Sequence, residues 1–528
     1  MALAAVMLLA GCDDAPAEDP AAQQQARCDE VVAGLVDDIQ VYVDGFEQVQ
    51  VVDYATGAGL PDAAGVEVAI ERRQRSLSQL GCDPPSTQRA LAAELGRLRS
   101  EGAIAQAVGE AMRVGVLGGR ADQPREIEVG VDDDLAALAV TAPAGSTLRL
   151  APGQHQTSEP IIVATPLRIL GAGPGRTELV SDAGESALVA LEGADLVLRG
   201  LSVDHTSSDG AAALVVRAVR YLLEDLDVRG PRGTEEDIGG VGILLEQDVV
   251  GPIAPRERLQ EPRGQRVVQV TVRDSGGPGV LVTGLASPTL EEVEIVDNGV
   301  CGVCLVGRSA AQLRDSVVTG NTTGVLVSDT ARPQVLDSQV SDNDEDGLLF
   351  DGRAAGRIIG NEITGNALRG VTVTGDASPE LEGNLLAANG EVGVAVLGAA
   401  RTRLDGEIVR EHAIGIFADD QAEVVLRGVL VEGAGDAGII LAGQSSGRIE
   451  ASTVEGRSQG IEVRGSARVR LTDNQVTGQQ EVSLLLRDEG VMEGRGNTCA
   501  SPGAALLVLD EARSELDGDG CPPAQPAS

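Results

Sequence analysis

A chain of 528 residues with 41 basic and 81 acidic side chains carries a formal net charge of −40, which excludes nucleic acid and anionic membrane surfaces as electrostatic partners, since both demand a cationic face. An apolar content of 42% is enough for a large core and excludes global disorder. That core has to be built from aliphatic side chains and tight backbone turns, because the chain has no Trp, three Tyr and three Phe against 68 Gly.

Residues 1–12, MALAAVMLLAGC, form an apolar run too short to span a bilayer and end on Leu9, Ala10, Gly11 and Cys12. This run resembles a bacterial lipoprotein signal, although no basic residue precedes it. The resemblance implies that Cys12 is the lipid attachment site and the new N-terminus. It places the protein in the bacterial cell envelope, held by a lipid anchor in a membrane and facing the periplasm or the exterior. Residues 13–27 are rich in Pro, Ala, Gln and acidic side chains and read as a flexible tether. Six cysteines remain, an even number that suits disulfides in an oxidising compartment. Proximity in sequence suggests Cys28 with Cys82, Cys301 with Cys304, and Cys499 with Cys521. A fully extended strand would hold the α-carbons of the middle pair roughly 10 Å apart, so a bridge there requires a corner at Gly302.

Residues 28–118 have helical periodicity and read as a small α-helical domain. Val31, Val32, Leu35, Val36 and Ile39 recur at helical spacing, a second run extends from Val66 to Leu80, and Gly81 supplies a stop. Further helices are expected from Thr87 to Arg99, with Ser86 as its cap, and from Ile104 to Val114.

Between residues 126 and 521 the pattern is a repeat. Gly279, Gly302, Gly324, Gly347, Gly370, Gly393, Gly415, Gly438 and Gly460 each precede an apolar triplet, at intervals of 22 or 23 residues. The residues one and three after the glycine are apolar throughout and face inward from a strand, as in Val325 and Val327 or Leu348 and Phe350. A second strand precedes the turn, and its middle inward position becomes Ser316, Ser338, Asn361 and Asn384 in successive coils. Asn298, Asn321, Asn343, Asn366 and Asn389 form a further stack at the turn. A leucine-rich repeat is the competing solenoid, and it fails because the second apolar position becomes Ser or Asn. Residues 522–528 read as a disordered tail.

The opening of this region, GSTLRLAPGQHQTSEPIIVATPLRILGAGPGRTELVS, begins at Gly145 and includes Pro152, Gly153, Gly171, Gly173, Arg176 and Thr177. It resembles the first coils of the pectate-lyase-like right-handed parallel β-helix superfamily. The resemblance implies a mainly β fold, a right-handed parallel β-helix solenoid of 22–23-residue coils over residues 126–521, behind the helical domain. It says little about activity, because such folds host unrelated functions.

No catalytic constellation of comparable clarity accompanies the scaffold. Hydrolysis would need paired carboxylates, and outward Asp297, Asp315, Asp337 and Asp342 are candidates only in the sense that the chain is full of such residues. Asp342, Asp344 and Asp346 resemble the start of a calcium loop and are the weak candidates for a metal, Ca2+, but Arg353 stands where the closing carboxylate belongs. No other cofactor is implied. His155, His205 and His412 lie on different coils, and His412 occupies the next place in the Asn stack. Two insertions between Asp227 and Val267 break the rhythm. The second carries Arg256, Arg258 and Arg263, with Arg266 at its end, a cationic loop suited to a carboxylated or phosphorylated ligand. The residues two after each repeat glycine, among them Leu281, Leu326, Leu349 and Phe417, align into an outward apolar stripe. The expected function is that of an envelope-anchored lipoprotein presenting a rigid surface to glycan or protein partners without catalysis. The alternative is a polysaccharide lyase or glycoside hydrolase acting on an envelope or environmental polysaccharide.

Overall fold

A computed structural model of the protein describes residues 20–44, 63–96, 98, 124–184, 186–207, 212–234, 237–238, 240–247, 264–433, 435–517 and 520–522. The chain divides into two compact units between Leu117 and Gly118.

The first unit is helical, with α1 at Pro20–Asp44, α2 at Ala63–Leu80 and α3 at Pro84–Gly96. Val32, Leu35, Ile39 and Val43 fall on one face of α1 and are buried. The helix α2 stops where Gly81 takes a φ of 67°. A disulfide between Cys28 and Cys82 and an ion pair of 3.0 Å between Arg73 and Asp38 join α1 to α2. Two expectations are corrected. α1 starts at Pro20, so residues 20–27 of the expected tether are helical; Ala and Gln are good helix formers and Pro suits a first turn. The cap of α3 is Asp83, whose carboxylate accepts from the Ser86 N–H at 3.0 Å, and Ser86 lies inside the first turn. Cys12 with its motif, and the expected helix from Ile104 to Val114, lie outside the described residues.

The second unit opens with a short strand, Glu126–Val129, and a helix, α4, at Leu135–Thr141, capped by the Asp134 side chain. Beyond them the chain winds into a parallel solenoid with one 15-stranded and one 29-stranded sheet. Each regular coil gives one strand to the first sheet and two short strands to the second, as in Thr323–Val327, Gln334–Leu336 and Gln339–Ser341. The inward residues stack in register, Val325 on Leu348 on Val371 on Val394, all fully buried. The repeat glycine is dictated by the next coil: a Cβ at Gly347 would stand 2.7 Å from the Gly370 carbonyl oxygen and from the Asn366 amide nitrogen. Gly302 lies between Cys301 and Cys304, whose α-carbons are 5.9 Å apart, so the chain does fold back there.

The Asn stack is a hydrogen-bonded ladder. Asn366 accepts at Oδ1 from the Asn343 N–H at 3.2 Å and from Asn343 Nδ2 at 2.8 Å. Its own Nδ2 donates to the Val340 carbonyl at 3.2 Å and to Asn389 Oδ1 at 2.8 Å. A buried primary amide thereby uses both donors and its acceptor. A second ladder at the neighbouring corner runs from Ser316 through Ser338 and Asn361 to Asn384, each accepting from the backbone of the coil before.

Asn366→Leu would orphan the N–H and the amide of Asn343 inside the solenoid. It should lower stability by roughly 3 kcal/mol in urea unfolding. Leu368→Ala, two residues away on an exposed side chain, should cost under about 0.5 kcal/mol.

Candidate functional site

Asp297, Asp315, Asp337 and Asp342, the outward carboxylates considered for catalysis, have φ of 54°, 51°, 46° and 54°. They occupy left-handed corners, which Gly320, Gly360 and Gly365 fill in other coils. Their identity is explained by the turn. Asp346 is buried against Arg369 at 3.8 Å while Asp344 is exposed, and among the described residues no group of three or more acidic, His or Cys side chains is arranged to hold a metal ion. Arg256, Arg258 and Arg263 lie outside the described residues. Arg266 belongs to the strand Gln265–Arg273 and pairs with Glu291 at 2.9 Å, so it is part of the solenoid wall.

The outward apolar residues do point from the 15-stranded sheet, and none is among the exposed large hydrophobic side chains. Stacked in register, each flanks the next, and Ile414, Phe417, Ala437, Ile440 and Ala442 form a cluster separate from the interior core.

Two adjoining pockets form a groove across the outer face of the 29-stranded sheet. It crosses the strands Ser378–Glu382, Arg401–Asp405, Glu423–Arg427, Ser446–Glu450, Arg468–Thr472 and Val491–Arg495. One section, of about 540 Å³, contains Glu423, Val425, Arg448, Arg468, Arg470 and Glu493. A second section of about 220 Å³ shares Glu423 and Val425 and adds Glu380, Arg401 and Arg403. Alternation along each strand produces the lining: Arg401 and Arg403 are exposed where Thr402 and Leu404 are buried. Register produces the column, since Glu380, Arg403, Val425, Arg448, Arg470 and Glu493 are successive partners on adjacent strands. Gly447 lines the floor from an inward position, where a Cβ would stand 2.6 Å from the Leu441 side chain.

These arginines are loosely held. Arg401 pairs with Glu423 at 3.5 Å, Arg448 with Glu450 at 3.8 Å and Arg470 with Glu493 at 2.8 Å. Their side chains are half or more exposed, and such pairs contribute at most about 1 kcal/mol. Arg468 makes no ion pair among the described residues. A shallower trench of about 380 Å³ elsewhere is lined by Glu411, Glu432 and Glu455 with Arg410 and is acidic.

The family profile described as a right-handed β-helix region matches residues 260–407 and 346–499. The parallel solenoid has the fold of a right-handed β-helix. Among solved structures it is similar to the A-module of the Azotobacter vinelandii mannuronan C-5 epimerase AlgE6, with 16% identity over 76% of this chain and 98% of that one and a TM-score of 0.39. It is also similar to the periplasmic alginate epimerase AlgG, at 13% identity over 79% and 91% of the two chains and a TM-score of 0.41. A mannuronic acid specific polysaccharide family 6 lyase from human gut microbiota follows at 10% identity, 71% and 91% coverage and a TM-score of 0.42. No curated protein matches the sequence significantly.

Burial alters the acidity of several carboxyl and imidazole groups inside the β-helix. Burial pushes the Asp346 carboxyl up, against the pull of Arg369. Burial pushes His205 down, against the Ser181 backbone and the charges of Asp204 and Asp182, which pull it up. His412 does take the next rung of the Asn ladder: Asn389 Nδ2 lies 3.0 Å from its Nε2, which makes Nε2 the acceptor and assigns the ring proton to Nδ1. Sequence reasoning missed two interior groups. Glu407 follows Asn384 by 23 residues in the second ladder and is fully buried. Arg457 is fully buried as well; its guanidinium donates to the His412 carbonyl, past Gly435, where a Cβ would collide with it, and to the Glu432 carbonyl at 2.8 Å.

All three expected cysteine pairs are bridged. Cys301 and Cys304 are 3 residues apart and Cys499 and Cys521 are 22 apart, so in the chain-entropy account they contribute about 2 and about 3.5 kcal/mol. The Cys499→Ser, Cys521→Ser double variant should therefore lose more stability than the Cys301→Ser, Cys304→Ser one, by about 1.5 kcal/mol in urea unfolding.

Proposed function

We propose that the protein is an envelope-anchored, non-catalytic binding protein whose β-helix holds an extended, negatively charged polymer along the arginine groove. The observation that carries this reading is the placement of Arg403, Arg448 and Arg470 in one outward column, with Arg401 and Arg468 beside it, on a chain of net charge −40. A groove crossing six strands suits a polymer better than a compact ligand. Arginine forks pair bidentately with carboxylates or sulfates at small cost in lost partners, because the present ion pairs are exposed and weak. Val425 and Val491 supply an apolar surface against which a sugar ring can rest without aromatic side chains. The lipid anchor at Cys12 would hold the groove at the cell surface or in the periplasm, where such polymers occur.

The test is equilibrium binding of a carboxylated polysaccharide, polygalacturonate, with neutral dextran as the control. The wild-type chain should bind the acidic polymer, and more weakly as salt rises. The triple variant Arg403→Ala, Arg448→Ala, Arg470→Ala should bind at least tenfold more weakly with unchanged unfolding. Equal binding by the triple variant removes the groove from the reading, and loss of binding on substitution of Arg256 and Arg258 alone would move the site to the insertion. Release of reducing or unsaturated ends from the polymer would establish the enzymatic alternative.

A further inference from the structure

In the coil from about residue 399 to 421, both interior ladders change from amides to ionisable groups. Glu407 takes the corner between the strands Arg401–Asp405 and Ile408–Arg410, and His412 takes the corner that follows. The Glu407 carboxyl accepts from the Asn384 N–H at 2.8 Å at one oxygen and from Asn384 Nδ2 at 3.4 Å at the other. On the far side the ladder position is Val429, whose side chain offers nothing to donate. In the preceding rungs the amide nitrogen also donates to a carbonyl of the coil before, as Asn384 Nδ2 does to the Ile358 carbonyl at 2.8 Å. The Glu407 oxygens only accept, and among the described residues this fully buried carboxyl has no ion-pair partner, so an anion there has no countercharge to offset its burial.

The charged groups around it do not neutralise it. Asp405 on its own coil, Glu382 on the coil before and Arg427 on the coil after share one outward column. Arg427 is engaged by Glu450 at 3.1 Å, and Asp405 holds Arg403 at 2.5 Å. His412 and Arg457 lie at the other corner. The coil that depends on Glu407 is therefore also the coil that carries Arg401 and Arg403 into the groove.

We propose that this coil is a pH-responsive element of the groove, closed while Glu407 is neutral and opened when Glu407 ionises, so that Arg401 and Arg403 lose their register with neighbouring strands. The regulatory part rests on the groove reading above, whereas the opening of the coil does not. Burial pushes the Glu407 carboxyl up from 4.5 to about 8, against the pull of the Asn384 hydrogen bonds. The stabilisation is thus complete below pH 4.5 and is lost as pH rises through 8. His412 acts at the opposite end of the scale. Burial and then the Arg457 charge lower it from 6.5 to about 4, so its contribution is present above pH 6.5 and lost as pH falls through 4.

Hydrogen exchange of the full chain from pH 5 to 9, corrected for intrinsic exchange, tests this. Peptides covering residues 399–421 should show an opening equilibrium that grows roughly 700-fold over that range, while peptides from the amide-only coils stay protected. Glu407→Gln keeps the acceptor and adds a permanent donor, and should hold the coil closed throughout. A flat wild-type profile at residues 399–421 overturns the proposal even if the variant fails to fold, and an equal loss of protection in Glu407→Gln overturns it too. Polygalacturonate binding at pH 6 and 9, where arginine stays charged, reports the coupling: it should weaken at pH 9 in the wild type and not in Glu407→Gln. Binding absent at pH 6 would sink the groove reading alone, and equal binding at both pH values with the coil open would sink the coupling.

Discussion

Each buried corner of the solenoid contains peptide groups that cannot reach water, and the side chain of the following coil must satisfy them. Asn does this with one amide: its oxygen takes two donors from the coil before, and its nitrogen serves a carbonyl and the next rung. The repeat length follows from that requirement, because a rung helps only if it arrives at the same corner after one full turn. The repeat glycine follows as well, since the ladder amide and the next glycine carbonyl lie within 3 Å of where its Cβ would be. Left-handed corners then favour Asp and Gly on the outside of the same turns. A local hydrogen-bond constraint, repeated every 22 or 23 residues, thus accounts for three separate features of the composition.

Where the ladder abandons the amide, the surroundings adjust. His412 accepts from Asn389 but leaves its Nδ1 without a partner, and the following rung is Gly435, which contributes no side chain. Arg457, a coil further on, reaches through the space that Gly435 leaves and binds two main-chain carbonyls. Burial lowers the basicity of this guanidinium, and it lowers His412 in turn. The other ladder breaks at Glu407 in the same coil and resumes at Ser452, which again accepts from the coil before. Amide rungs are indifferent to pH; these are not.

The fold was legible because its signal lies along the chain: the glycine spacing, period-two alternation and Asn recurrence can all be counted. Glu407 stands on the same count, 23 residues after Asn384, but a ladder read as Ser and Asn gave no reason to expect a carboxylate in it. Arg457 was hidden by the skipped rung, which doubles its distance from His412. The groove was illegible for a different reason. Arg401, Arg403, Arg448 and Arg470 look like ordinary solvated positions on separate strands, and only register, fixed to the residue, stacks them. The sequence reading favoured the insertion with Arg256 and Arg258, because clustering along the chain is visible there and clustering across strands is not.

The same stacking separates the interior from the exterior. Thr402 and Leu404 point inward to hold the coil, whereas Arg401 and Arg403 between them are constrained by nothing except water and their neighbours. Arg401 pairs with Glu423 and Arg403 with Asp405, in exposed contacts that can exchange for others at small cost. Arg457 has the same guanidinium and the opposite situation: enclosed, bound to carbonyls and unable to exchange partners without opening the coil. Arginine outside is therefore available for recognition and arginine inside for structure. The coil with Glu407 is where the two are joined, because one buried carboxyl supports the backbone that carries two of the groove's cations.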